Sequence, residues 1–170
     1  MRAGPSMPFT PFHFGPGALL HSAAPKHVSF LAFCGANVLV DVEPLYFMLT
    51  HQYPIHRFFH TYVGAAIAAG IVVGLFMLVR RVAPRLLDIF GLHDLSVRAV
   101  TLGAIAGTYS HVVLDSLMHA DMQPFAPFSA ANPLLGALFL NTLHGFCLFA
   151  GLVGVVVIGA RYLKRSQMRS

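Results

Sequence analysis

Long runs of hydrophobic residues alternate with short polar stretches along the chain, and four of these runs are long enough to cross a membrane. They cover about residues 28–49, 58–79, 95–118 and 133–160. A helix needs about 20 apolar residues to cross the hydrocarbon core. Backbone polar groups inside a bilayer must pair within the chain, and the runs lack the alternation of a membrane barrel. Each run is therefore predicted to be a membrane-spanning helix.

A fifth, shorter helix is predicted ahead of the first long run, over about residues 17–24. It would turn and form a hairpin with the first long helix, which would bring His13 back beside Asp41. Prolines interrupt the residues before it, so we expect residues 1–12 to be irregular. The predicted fold class is an all-α, polytopic helical membrane protein with one domain over residues 1–170.

The composition supports this fold class and excludes several others. The chain is 56% hydrophobic and 10% charged, and its mean hydropathy is +0.71. A soluble domain has about a quarter of its residues charged. The net charge of +5 does not indicate nucleic-acid binding, because the basic residues cluster at the ends of apolar runs. Cys34 and Cys147 lie in apolar runs without a CxxC pair, so we interpret both as packing residues.

Basic residues predict the orientation of the helices. They flank the connection between the second and third runs, and they follow the fourth run as a basic tail over residues 161–170. The positive-inside rule makes both regions cytoplasmic. The C-terminus is therefore predicted to lie in the cytoplasm. The basic residues concerned are Arg80, Arg81, Arg85, Arg98, Arg161, Lys164, Arg165 and Arg169.

This orientation brings ionisable residues from three separate runs to the external side of the membrane. Such residues are costly at membrane depth, face the interior of a helix bundle and mark functional sites. We therefore expect them to form one site near the external face. They are Asp41 and Glu43 from the first run, His51, His56 and His60 around the start of the second, and His111, Asp115 and His119 from the third, with His144 deeper in the fourth.

The stretch SHVVLDSLMH, residues 110–119, carries the densest part of this set. His111, Asp115 and His119 are spaced at i, i+4 and i+8, which places them within roughly 80° of one another on a helix. Imidazole and carboxylate together suit Zn²⁺ or another first-row divalent ion. A mixed set without cysteine is typical of catalytic sites, which keep a position open for water. The alternative is a structural His–Asp hydrogen-bond pair at the end of a helix.

The sequence allows two roles for each of three further residues. His144 is either a packing residue or part of the site. His51 lies in a polar turn and is either solvated or a ligand. Arg57 either anchors to lipid headgroups or binds a substrate phosphate through its two parallel N–H donors.

Four short motifs together resemble a known family. MPFTPFH, DVEP, HRFFHT and SHVVLDSLMH resemble bacterial membrane-bound metal-dependent hydrolases of the YdjM and DUF4184 type, which are similar to the zinc-dependent phospholipase C and P1 nuclease superfamily. The chain departs from the family pattern at Val40, where proline is usual, and at Glu43, where one branch has aspartate. The two histidines of HRFFHT are also four apart, whereas the related HRGxTHS form has them five apart. The resemblance implies a location in the inner (cytoplasmic) membrane of a bacterium. The ligands that it implies are His13, Asp41, His60, His111, Asp115 and His119.

The leading hypothesis is a membrane-embedded metal-dependent hydrolase that acts on a phosphoester of a lipid or lipid-linked substrate through a metal-activated water. Hydrolysis is implied by the resemblance, whereas spacing and topology alone indicate a metal-competent site. Zn²⁺ is the expected ion, and the predicted catalytic residues are Glu43 as general base or ligand, Asp115, and Arg57 as the group that stabilises an anionic substrate. The predicted metal-binding residues are His13, Asp41, Glu43, His56, His60, His111, Asp115 and His119.

Three rival functions are compatible with the sequence. A transporter for divalent ions or protons would use His and Asp as relay residues, but the cytoplasmic halves of the last three runs lack His, Asp and Glu, and Arg98 lies at the very start of its run. Haem could be bound by His60 together with His111 or His144. A non-catalytic membrane scaffold could keep the metal site for stability alone.

Overall fold

The computed structural model of the protein describes residues 10–90 and 92–168, with every side chain in these ranges except those of residues 10 and 165. Four of its helices, α2 (Phe30–Leu49), α3 (Tyr62–Val82), α5 (Val97–Met118) and α6 (Leu140–Gln167), are long and apolar enough to cross a membrane. This confirms the predicted all-α fold with four long spans. The elements in the described ranges are α1 Thr10–Ala23, α2 Phe30–Leu49, a 3₁₀ turn Phe58–His60, α3 Tyr62–Val82, α4 Pro84–Ile89, α5 Val97–Met118 and α6 Leu140–Gln167.

Hydroxyl side chains fix the start of three of the long helices. Ser29, Thr61 and Ser96 precede α2, α3 and α5, and each hydroxyl accepts the backbone N–H three residues further along. Such caps satisfy one of the unpaired N–H groups of the first turn and contribute about 1 kcal/mol each. The first turns are therefore specified locally by the sequence.

The N-terminal helix is longer than the predicted range of 17–24. Residues 10–12, which were expected to be irregular, already belong to α1. Pro11 is compatible with this because the first turn of a helix does not need its N–H. The rest of the predicted irregular segment, residues 1–9, lies outside the described residues.

The fourth long helix begins later than predicted, at Leu140 rather than near Pro133. The preceding residues form turns, and Gly136 has a φ of +72°, a conformation that glycine adopts without a steric penalty. The Asn132 side chain ties these turns to the end of α5 through the carbonyl oxygens of Ser116 and His119. An apolar run alone does not distinguish such turns from a helix. The short α4 was also not predicted, and it lies in the connection between the second and third runs.

Five helix ends lie at the same end of the bundle. α2 and α5 end there, and α1, α3 and α6 begin there. α5 packs against both α2 and α3, while α1 packs most extensively against α6. Small side chains fill the centre, where Ala36, Ala69 and Ala104 meet. Small residues allow membrane helices to approach closely, whereas the large apolar side chains on the outside suit contact with lipid.

Gly107 of α5 permits the close approach of α2. A Cβ atom at this position would lie 2.6 Å from the carbonyl oxygen of Phe33 and 3.1 Å from Nδ2 of Asn37. The first atom belongs to the backbone of α2, so a side chain at Gly107 would push the two helices apart. The contact matters for function because Asn37 and Asp41 face α5 one and two turns beyond Phe33.

We predict that Gly107→Ala destabilises the protein by about 1–3 kcal/mol, the usual cost of overpacking. Gly74→Ala is the matched control, since a Cβ there meets no atom within 4 Å and alanine favours a helix more than glycine does. Thermal unfolding in detergent measures both. An unchanged unfolding temperature for Gly107→Ala would contradict the close approach.

Candidate metal centre

The Asp115 carboxylate lies at the centre of the polar cluster, and its side chain is almost completely buried. Its Oδ2 atom is 3.1 Å from Nε2 of His111 and 3.4 Å from Nε2 of His60. Its Oδ1 atom is 3.1 Å from Nε2 of His13 and 3.9 Å from Nε2 of His119. Imidazoles from α1, the 3₁₀ turn and α5 thus surround one carboxylate, and its two oxygens face different neighbours.

Asp41 of α2 completes one group around Oδ2 of Asp115. Its Oδ1 atom lies 3.2 Å from Nε2 of His111 and 4.0 Å from Nε2 of His60. One donor atom from each of these four residues lies within 4.8 Å of all the others. Two ligands of one ion, each bonded at 2.0–2.2 Å, are roughly 3–3.5 Å apart. The distances from Nε2 of His111 to Asp41 and to Asp115 have this spacing, and so does the distance from Nε2 of His60 to Asp115.

A second group shares Asp115 with the first. It consists of His56, Asp115 and His119, whose donor atoms meet the same distance limit. The His56 and His119 rings are stacked with their centroids 4.3 Å apart. All three side chains are buried.

Buried nitrogen atoms in both groups fit a bound cation. Nε2 of His56, His60 and His111 has no hydrogen-bond partner, although the latter two lie close to carboxylate oxygens. A buried polar atom without a partner costs about 1–3 kcal/mol. Coordination of a divalent ion would satisfy these atoms, and an imidazole–carboxylate set suits such an ion. The residues therefore fit a metal centre.

Asn37 orients His111 from the opposite side of the ring. The Asn37 amide nitrogen donates to the Phe33 carbonyl at 2.8 Å, so its oxygen faces Nδ1 of His111 at 3.0 Å. His111 must therefore donate with Nδ1, which leaves the Nε2 lone pair directed towards the two carboxylates. A partner of this kind fixes the tautomer and the orientation of a ligating histidine.

Glu43 holds the turn that carries His60. Its two carboxylate oxygens accept the backbone N–H groups of Phe58 at 3.0 Å and Phe59 at 2.8 Å. Its Oε2 atom is also 3.8 Å from Nδ1 of His60. These contacts position the 3₁₀ turn, while a role for Glu43 as ligand or general base stays a prediction.

Asp121 plays the corresponding part for His56, and it was missed by sequence reasoning. One oxygen accepts Nδ1–H of His56 at 2.8 Å, and the other accepts the backbone N–H groups of Ile55 and His56 at 3.0 and 3.3 Å. Burial disfavours the charged carboxylate, but these hydrogen bonds outweigh it and lower the pKa of Asp121 to about 2. The available signal was position, because Asp121 stands two residues after His119 at the end of the densest motif.

Two histidines of the site lie outside the spans, and their pKa values are shifted in opposite directions. Burial alone would lower the pKa of His60, yet the carboxylates of Asp115 and Glu43 outweigh burial and raise it. Burial lowers the pKa of His119, which keeps its imidazole in the neutral form that a metal ligand requires. Negative charge thus dominates around His60, where it would stabilise a cation.

His13 joins the cluster from the N-terminal helix. In addition to its contact with Asp115, its ring stacks on that of His111 with the centroids 4.4 Å apart. By contrast, His144 stacks on Phe12 at 4.6 Å, and His51 is exposed on the surface. The structure thus brings His13 to Asp115 and His111, and the two histidines whose roles were left open lie elsewhere.

Arg57 lies beside the cluster, at the edge of a pocket. Its Nε atom donates to the Pro54 carbonyl at 2.8 Å, and its guanidinium carbon is 3.6 Å from the centre of the Phe47 ring. The pocket has a volume of about 340 Å³, and both Arg57 and the buried His56 line it. This pocket therefore connects a cation outside the cluster with a histidine inside it.

Comparison with known proteins assigns the chain to a family. The family model of the YdjM inner membrane protein matches residues 10–168. That range contains every element of the cluster and all four apolar spans. Neither the curated proteins nor the solved structures include a match. The resemblance to the YdjM type is thereby confirmed, and the chain belongs to the YdjM inner membrane protein family.

Proposed function

We propose that the protein is a membrane-embedded hydrolase that uses a divalent metal ion, with Zn²⁺ as the expected ion, to cleave a phosphoester of a lipid or lipid-linked substrate. The observation that carries the proposal is the set of Asp41, His60, His111 and Asp115, of which the last three are buried and which combines ligand-like spacing with unpartnered nitrogens on the two histidines. An ion held there would polarise a phosphoryl oxygen and activate a water molecule. The net reaction forms a bond from water oxygen to phosphorus and breaks the ester P–O bond, and the leaving oxygen takes a proton.

The chain's own residues would bind and orient the substrate. Arg57 would hold the phosphate in the pocket beside His56, because a guanidinium offers parallel N–H donors to anionic oxygens. Glu43 is the proposed base, and it would act next to His60, whose Nδ1 it faces. Asp115 would hold the cluster together from its centre.

A lipid substrate is supported by where the cluster lies. Asp41, His111 and Asp115 all belong to helices that are long and apolar enough to span a membrane. A substrate that stays in the bilayer could reach them with its headgroup while its chains remain in lipid. We expect this end of the bundle to face the external side, with the C-terminus in the cytoplasm, as the positive-inside rule predicts.

Removing a central ligand should abolish both metal binding and hydrolysis. We expect His111→Ala and Asp115→Asn to lower lipid phosphoesterase activity by at least about 100-fold, since loss of a mere supporting partner already costs 10–100-fold. The measurement is phosphate or headgroup release from phosphatidic acid and phosphatidylglycerol in mixed micelles with Zn²⁺ or Mn²⁺. Bound metal is measured on the same samples.

The matched controls are His93→Ala and Asp94→Asn, which remove the same side-chain types from exposed positions. Both should retain full activity and metal content. Stoichiometric metal without hydrolysis of either lipid would contradict the proposed reaction. Glycerol phosphate serves as the soluble comparison, and faster cleavage of it than of the lipids would contradict a lipid substrate.

Asn37 offers a test of metal binding that leaves all ligands in place. We predict that Asn37→Leu weakens metal affinity by about 10–100-fold, because His111 loses the acceptor that fixes its tautomer. Isothermal titration with Zn²⁺ measures the affinity, and Asn141→Leu, an exposed position, is the control. Equal affinities for Asn37→Leu and the wild type would contradict the role of Asn37 in orienting His111.

A further inference from the structure

The two oxygens of Asp115 divide the cluster into two sides. Oδ2 faces His111 and His60, which together with Asp41 form the group on which the proposed function rests. Oδ1 faces His119 and His13 instead. A carboxylate that presents its two oxygens to separate sets of nitrogens has the arrangement of a bridging ligand. Two-metal sites use such sharing to hold ions about 3.5–4 Å apart.

His56 belongs to the group that contains His119 and Asp115, and its partner on the loop after α5 fixes its orientation. Its Nδ1 atom is committed to Asp121 at 2.8 Å, and its backbone N–H is held by the other oxygen of the same carboxylate. Only Nε2 is left for another interaction, and this atom is buried without a hydrogen-bond partner. The ring stacks on His119. A carboxylate behind a histidine in this way is typical of metal ligands.

We propose that Asp121 is a positioning residue that fixes His56 as a ligand of a second divalent ion, bound by His56, His119 and Asp115 next to the ion of the Asp41–His60–His111 side. This inference rests on the proposed function only in taking the first group to be a metal site. The ligand class is a divalent cation that accepts imidazole and carboxylate together, such as Zn²⁺ or Mn²⁺.

If Asp115 bridges two ions, the contact between His13 and Asp115 also has a role. Its Nε2 atom contacts Oδ1 at 3.1 Å from the side of α1, so it either adds a ligand to the second ion or fixes the orientation of the bridging carboxylate. In either case Asp115 is held at both oxygens, and the two ions would lie at the two ends of one buried carboxylate.

The test is metal stoichiometry of the full-length protein in detergent, loaded with Mn²⁺ and measured by elemental analysis and electron paramagnetic resonance. We expect two ions per chain in the wild type, with the spectrum of exchange-coupled Mn²⁺. Asp121→Asn should weaken the second ion by about 10–100-fold and give the spectrum of isolated Mn²⁺, while the first ion keeps its affinity. Asp94→Asn, an exposed aspartate, should retain two coupled ions.

His56→Ala separates positioning from folding. This variant keeps the Asp121 carboxylate and its hydrogen bonds to the backbone of residues 55 and 56, so the loop contact survives while the ligand is lost. It should reproduce the loss of the second ion and of the coupled spectrum. A change confined to the second ion would not follow from a merely structural role of Asp121.

The possible outcomes separate this inference from the proposed function. Saturation of the wild type at one ion, or an unchanged second ion in either Asp121→Asn or His56→Ala, would overturn the inference even if the protein hydrolyses lipid phosphoesters. Two coupled ions that are lost as described would support it even if no lipid phosphoester is cleaved.

Discussion

The arrangement of the site depends on burying one carboxylate, Asp115, inside an apolar helix bundle. A buried charge without partners costs several kcal/mol and would favour a rearranged or protonated structure. Here its two oxygens are approached by imidazoles from α1, the 3₁₀ turn and α5. Elements that are far apart in sequence must therefore meet at this point. The fold brings five helix ends to one end of the bundle, and the carboxylate gives them a common centre.

Close packing and polar contacts support each other around this centre. Gly107 lets α2 approach α5 until the Asn37 amide reaches His111. The same approach brings Asp41 within 3.2 Å of His111. In a membrane there is little hydrophobic driving force between helices, so small residues and interhelical polar contacts must supply the specificity. Gly107 and Asn37 therefore act together, since the close approach that the glycine permits lets the amide contact His111.

The sequence predicted the spans and the convergence of the polar residues because both follow from hydropathy and topology. Each apolar run was long enough to be recognised, and residues at corresponding ends had to meet. The predicted start of α6 was wrong because the apolar residues after Pro133 are compatible with turns as well as with a helix. The parts played by Asn37 and Asp121 could not be predicted, because they depend on how side chains from different elements are oriented. The hydrogen bond between His56 and Asp121 joins residues 65 positions apart, and such a contact leaves no repeating pattern in a single sequence.

Two carboxylates outside the buried ligand groups have parallel relations to the loop between α2 and α3. Glu43 accepts backbone N–H groups just before His60, and Asp121 accepts those at and before His56. The loop has no sheet or long helix of its own to hold it, so these ionic acceptors replace regular structure. Hydrogen bonds from backbone N–H groups to a charged acceptor are stronger than those to a neutral one. A connection without regular structure is thereby held so that its two histidines have fixed positions, as a metal centre requires. Four acidic residues thus have two kinds of role: in the proposed metal centre Asp41 and Asp115 would supply ligand oxygens, while Glu43 and Asp121 accept hydrogen bonds from the backbone that carries the histidines.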